Sequence, residues 1–179
     1  MRLSNQMLRA IDWQSMDTRW AVRWNRLSRY RALRDLFRLF SRLGDGVAWY
    51  FLMLALPFAF GTAGLMAAFK MIVAGVAGLV IYRWLKNRTI RPRPFQVVTD
   101  IVASSTPLDQ FSFPSGHTLH AVCFAMIASA HFPILTPWLA TFAILVAMSR
   151  PILGLHYPSD VLAGACIGAA LAKLALAGM

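Results

Sequence analysis

Ser149-Arg150-Pro151-Ile152-Leu153-Gly154-Leu155-His156-Tyr157-Pro158-Ser159-Asp160 stands between two long apolar runs. It puts a permanent planar cation, an imidazole and a carboxylate within twelve residues. Arginine matches the oxygens of a phosphate, histidine can act as nucleophile or base near neutral pH, and aspartate can fix the tautomer of that imidazole. The blander reading is a charged group capping two helices at a membrane surface, with its stems snorkelling. Either way the apolar flanks make these residues the junction of two membrane helices.

The whole chain supports that setting. Of 179 residues 58% are hydrophobic, and the mean hydropathy is +0.56, far above a soluble average. The formal charge of +11 sits in blocks outside the apolar runs. Anionic lipid headgroups and an anionic substrate are the partners this distribution implies, and nucleic acid is not. Cys123 and Cys166 lie inside apolar runs without ligand-spaced neighbours, and are expected as small core residues rather than a disulfide or metal pair. The Arg-rich N-terminus lacks the apolar centre of a cleavable signal peptide.

Residues 1–43 carry ten arginines, no lysine and three aspartates. From Trp20 to Phe40 their apolar residues recur mostly every three or four positions, which predicts one amphipathic helix lying in the headgroup layer. A helix docked on a partner protein is the plainer alternative. Residues 1–43 are thus expected as a basic interfacial segment and 44–179 as the membrane domain, with a break at Ser41–Gly46. The apolar stretch Val47–Tyr82 fills two spans, near 47–61 with a kink at Pro57 and near 65–84, hinged at Gly61-Thr-Ala-Gly64. Lys70 is expected near a span end, snorkelling. A polar loop with four prolines covers 86–114. Further spans are predicted from Thr118 to Phe132, from Trp138 to Met148 and on toward Leu153, and from Val161 to Leu176. The last carries Gly164 and Gly168, a small-residue stripe that permits close helix approach. The expectation is an all-α, multi-span membrane protein with about five transmembrane helices. Counting crossings brings the loop 86–117 and the stretch 149–160 to the same face.

Three polar stretches therefore meet: Lys86-Asn-Arg-Thr-Ile-Arg-Pro-Arg93-Pro94, Phe113-Pro114-Ser115-Gly116-His117, and Ser149–Asp160. Together they resemble the three-part signature of the type 2 phosphatidic acid phosphatase (PAP2) family. In it a lysine stands six residues before Arg-Pro, Pro-Ser-Gly-His follows, and Ser-Arg, five residues, His, three residues, Asp closes the pattern. Vanadium-dependent haloperoxidases and bacterial acid phosphatases share this signature. The resemblance covers residues 86–160 and implies a PAP2/haloperoxidase-like helical core.

The residues themselves suit the chemistry. Phosphoryl transfer needs cations around three equatorial oxygens, which Lys86, Arg93 and Arg150 can supply. Ser115 and Gly116 precede an apolar helix, where free N–H groups favour an anion. His156 is the candidate nucleophile, forming a phosphohistidine. Asp160, with Ser159 as a helix cap, is expected to accept a hydrogen bond from its other nitrogen. His117 is expected to protonate the departing lipid alkoxide and then to activate water. These roles agree with those the resemblance implies. Seven aspartates and no glutamate make a two-metal site unexpected, so neither metal nor cofactor is predicted.

Among the neighbours, His120 and His131 are expected as packed or interfacial residues, Arg88 and Arg91 as headgroup or surface contacts, and Asp109 as a loop or cap residue. The predicted activity is hydrolysis of phosphatidic acid, phosphatidylglycerol phosphate or undecaprenyl pyrophosphate. A lipid phosphotransferase, a haloperoxidase and a non-catalytic lipid-phosphate binder are the rival readings. Membrane PAP2 proteins usually have six spans, and the basic segment stands where the first would be. Bacterial members mostly face the periplasm, whereas the arginines on the site's side favour the cytoplasm by the positive-inside rule. The setting implied is a bacterial inner membrane, and nothing in the chain points to a particular oligomeric state.

Overall fold

The computed structural model describes residues 5–107 and 109–178, with side chains from residue 12 onward. Residues 1–4 of the basic segment lie outside the described residues. The described residues form helices and connecting turns, with no strand among them. In order these are α1 (Asn5–Asn25), α2 (Arg31–Arg42), α3 (Ala48–Thr89), α4 (Pro94–Val97), α5 (Gly116–His131), α6 (Thr136–Ile152) and α7 (Pro158–Ala177).

Helix α3 is two legs rather than one rod. Gly61 adopts φ 56 and ψ −132, open to glycine and strained for other residues. Beyond it Gly64 lies so close to the first leg that a Cβ there would come within 2.0 Å of the Leu56 carbonyl oxygen. Residues eight apart in a continuous helix are separated by about 12 Å, so the chain has folded back. The hinge falls where Gly61–Gly64 predicts it. The second leg runs on to Thr89, past the expected end at 84, and closes on Ile90 in the left-handed region.

Packing contacts give the direction of each leg. Trp49 meets Phe124 edge-on and Phe60 stacks on Phe132, so the first leg of α3 runs parallel to α5. Gly75 faces Phe124 and Gly78 faces Leu119, so the second leg runs the opposite way. Helix α6 returns beside the first leg, with Phe142 against Trp49 and Val146 against Gly44. Helix α7 packs on α5 with almost no side chain between them: Cβ atoms at Gly164 and Gly168 would lie 2.4 and 2.3 Å from the carbonyl oxygens of Ser115 and Leu119. The small-residue stripe read in the sequence is thus the seam that sets α7 against the start of α5.

By length and composition, Arg31–Val97, Pro133–Ile152 and Pro158–Ala177 are apolar enough to cross a membrane, the first containing both legs of α3. Phe51, Leu54, Phe58, Trp138 and Leu162 point outward, as lipid contact requires. The molecule is an integral membrane protein. Two residues expected elsewhere take other places: Cys166 is exposed, not core, and Lys70 is only 6% exposed, packed within the bundle rather than snorkelling.

The N-terminal segment is not the single helix expected over 20–40. A tight turn at Arg26–Arg29 and an extended Tyr30 divide it into α1 and α2. The reason is tertiary. Asn25 donates from Nδ2 to the carbonyls of Val102 and Ile152 at 3.0 Å and accepts the Val102 N–H, so the chain must bend there to stay on the bundle. Ala21 is buried against Ile101 and Tyr157 and Phe37 against Ile152, Leu153 and Leu155, while Trp13, Trp20 and Tyr30 stay exposed.

Candidate active site

The three polar stretches converge at one end of the bundle around a cavity of about 310 Å³. Lys86, Arg93, Gly116, His117, Arg150 and His156 all line it. Local chemistry places each. Lys86 sits in the last turn of α3, and Arg93 precedes α4, whose Pro94 begins the helix while Gln96 Oε1 accepts the Arg93 N–H. Arg150 sits in the last turn of α6, and its carbonyl accepts the N–H groups of Leu155 and His156, which folds the connecting loop back onto the helix end.

His156 is 2% exposed. Its Nε2 lies 3.4 Å from Arg93 Nη1, on the cation side, and its Nδ1 lies 3.6 Å from Asp160 Oδ2. Burial, then the charges of Arg150, Arg93 and Lys86, hold its pKa well below the ordinary histidine range. The imidazole is therefore neutral, and an arginine N–H facing Nε2 leaves the ring proton on Nδ1. That is the tautomer with its lone pair toward the cations.

Asp160 departs from expectation. It makes no hydrogen bond to His156 in this state; Nδ1 of that ring has no partner among the described residues. Instead Asp160 Oδ2 accepts the Tyr157 N–H at 2.9 Å, and Oδ1 accepts Arg91 Nη1 at 2.6 Å. Ser159 is not the cap of α7, since Tyr157 holds that position. The Ser159 N–H and hydroxyl both go to Asp17 of α1, which also accepts Arg91 Nη2 at 2.6 Å. Arg91 is thus no surface contact. It bridges the N-terminal helix to the buried carboxylate behind His156.

Ser115 caps α5 with its side chain and is fully buried against Thr118, while its N–H reaches the Asp160 carbonyl. Gly116, next in line, faces the cavity and supplies the open backbone there. His120 is packed, as expected, facing the carbonyls of Gly116 and Gly75. His117 meets the Asp45 carboxylate through Nε2.

Asp109 was expected as a loop or cap residue, yet its Oδ1 lies 2.6 Å from Lys86 Nζ and 2.7 Å from Arg93 Nη2. Burial alone would raise its pKa, but the hydrogen bond and charge of Lys86 and the charge of Arg93 outweigh this and hold it below the usual carboxylate range. Its negative charge opposes any other anion at these cations. Asp109→Asn should tighten orthophosphate binding about tenfold, roughly 1.4 kcal/mol, in a calorimetric titration of the detergent-solubilised protein.

Asp17, Asp45, Arg91 and Asp109 carry no local signal of a role. Each acts on a partner brought near by the fold, the farthest 142 residues away in the sequence. Only Arg91, two residues from Arg93 inside a recognised stretch, could have drawn attention from spacing.

Comparison with known proteins places this arrangement. The PAP2 superfamily profile matches residues 64–179. The lipid A 1-phosphatase of Rhizobium etli is 29% identical over 158 residues, 76% of this chain and 67% of that protein. The undecaprenyl-diphosphatase BcrC of Bacillus subtilis is 31% identical over 137 residues, 76% and 70% of the two chains. Phosphatidylglycerophosphatase B of Bacillus subtilis is 38% identical over 69 residues, only 34% of its length. In fold, the chain superposes on the crystal structure of a transmembrane PAP2 type phosphatidylglycerolphosphate phosphatase from Bacillus subtilis with a TM-score of 0.75 at 26% identity, covering 93% of this chain and 85% of the other. Aquifex aeolicus LpxE gives 0.74 at 28% identity, covering 86% and 92%. With signature residues around one cavity and the profile covering residues 64–179, well over half of the sequence, the chain belongs to the PAP2 superfamily.

Proposed function

We propose that the protein hydrolyses a membrane lipid phosphate or pyrophosphate without a metal, through a phosphohistidine on His156. One observation carries this: a neutral histidine points its lone pair into a cavity bearing Lys86, Arg93 and Arg150, and that cavity continues along apolar side chains between the two legs of α3. The polar end suits a phosphate. Trp49, Met53, Met71, Ile72 and Leu79 suit a hydrocarbon chain.

In the first step the Nε2 lone pair of His156 attacks phosphorus, the P–O bond to the lipid breaks, and its electron pair leaves on the lipid oxygen. His117 gives that oxygen a proton. Asp160, 3.6 Å from Nδ1, stabilises the imidazolium as the N–P bond forms. Water then yields a proton to His117 and attacks phosphorus, and the N–P electron pair returns to His156. Lys86, Arg93 and Arg150 hold the phosphoryl oxygens throughout, and the Gly116 backbone allows close approach.

Residues 44–179 form the catalytic unit in this reading, and residues 1–43 lie in the headgroup layer of a bacterial inner membrane with Trp13, Trp20 and Tyr30 toward lipid. The relatives named above act on a phosphatidylglycerophosphate, a lipid A and an undecaprenyl diphosphate, and supply the substrates to try. The test is phosphate release by purified protein in detergent with EDTA, from phosphatidic acid, phosphatidylglycerol phosphate and undecaprenyl pyrophosphate. Release from at least one is expected. Folded protein that releases none overturns the hydrolase, and transfer to an added lipid alcohol would replace it with a phosphotransferase.

A further inference from the structure

One carboxylate in the cavity belongs neither to the nucleophile nor to the phosphate cations. Asp45 lies in the turn Leu43–Val47 that joins α2 to α3, and its Oδ1 contacts Nε2 of His117 across 72 residues of sequence. Two glycines place it. Gly44 packs on Val146 so tightly that a Cβ would meet its side chain at 2.8 Å, and Gly46 takes φ 135, a conformation that disfavours side chains. The turn therefore lies against α6 and presents the carboxylate to the first turn of α5.

The position matters because of what surrounds His117. Lys86, Arg93 and Arg150 line the same cavity, and nearby cations disfavour an imidazolium. A lipid alkoxide is a poor leaving group and needs a proton as the P–O bond breaks. A carboxylate in contact with the ring works against the cations and fixes which nitrogen is free. With Nε2–H held by Asp45, Nδ1 is the nitrogen left to give its proton away.

We propose that Asp45 is a positioning residue that favours the protonated form of His117 and orients the ring for the departing lipid oxygen. This rests on the role of His117 in the hydrolase reading above. As the P–O bond breaks, its electron pair takes the Nδ1 proton of His117, and the Nε2–H to Asp45 hydrogen bond persists through the transfer. Water returns a proton to Nδ1 in the second step, so Asp45 ends as it began. A plain structural ion pair between the turn and α5 is the rival role, and the leaving group separates the two. The p-nitrophenolate ion departs without protonation, whereas a lipid alkoxide does not.

The experiment compares kcat/KM, which reports formation of the phosphoenzyme, for Asp45→Asn and wild type on a lipid phosphate and on p-nitrophenyl phosphate. The expected result is a loss of about 100-fold on the lipid phosphate and of less than roughly fivefold on the aryl ester, with the same asymmetry in His117→Ala. Equal losses on both substrates, or no loss on either, overturn the role of Asp45 while leaving the hydrolase intact. A wild type that releases phosphate from neither substrate overturns the hydrolase and this role together. Thermal unfolding of Asp45→Asn in detergent accompanies the kinetics, and a misfolded variant is recognised by a lowered unfolding temperature. The comparison then passes to Asp45→Glu, which keeps the carboxylate and is expected to retain activity on the lipid phosphate, with equal loss on both esters in a folded variant overturning the role.

Discussion

His156→Ala abolishes turnover, lowering phosphate release from every lipid substrate by at least about 10³-fold while the helices remain folded. The size follows from what the side chain does. It carries the bond to phosphorus, and its Nε2 lies 3.4 Å from Arg93 Nη1, on the side of the three cations. The fold survives because His156 sits in a loop whose backbone is held by the Arg150 carbonyl, independently of the ring. The pH dependence has a definite sign. Burial and neighbouring cations lower the pKa of His156, so acidification toward 6.5 does not protonate it. Formation of the phosphoenzyme should persist through mildly acidic pH, to be read as label retained on the protein after an alkaline quench in single-turnover experiments. A single-turnover rate that falls with a midpoint near 6.5, or a His156→Ala variant with normal activity, would refute the nucleophile.

Arg91→Ala should destabilise the folded protein by about 3 kcal/mol and disable it, a combination that a surface arginine does not produce. Asp160 is fully buried, and Arg91 is the cation that compensates it directly. Removing the guanidinium leaves a fully buried carboxylate with only neutral partners, chiefly the Tyr157 N–H and the Ser112 hydroxyl. The same substitution unties Asp17, and with it the clasp of α1 on the start of α7. Lysine would restore the charge but not the fork, because the two guanidinium nitrogens serve two different carboxylates. The expected order of thermal stability in detergent is wild type, Arg91→Lys, Arg91→Ala, with activity in the same order. Equal stability of all three would show that Asp160 finds compensation elsewhere.

Much of the fold and of the site is legible because the relevant signals are local. Apolar runs of span length mark α3, α6 and α7, and the two glycines at 61 and 64 mark the reversal within α3. Crossing parity alone then sends residues 86–117 and 149–160 to one end, where the structure assembles them around one cavity. Lys86, Arg93, Arg150, His117 and His156 belong to that cavity as the spacing of their motifs predicts. Illegible were the contacts whose partners are far apart in sequence. The break at Arg26–Arg29 is made by Asn25 reaching Val102 and Ile152, and helical periodicity runs through it without interruption. Asp109 resembles any polar loop residue until the loop lays it between Lys86 and Arg93.

The amino-acid order by itself determined that this chain is a helical membrane protein, where α3 turns back, and which cations and imidazoles share one cavity. Hydrophobic length, helix-breaking glycines and motif spacing are properties of contiguous residues, and each acts before any tertiary contact forms. Only the tertiary structure decided how those groups are charged and held. Arg91 links Asp17 to Asp160, Asp45 meets His117, and burial beside three cations keeps His156 neutral. Coulomb energies and desolvation depend on distance in space and on the absence of water, and neither is written in the spacing of residues along the chain.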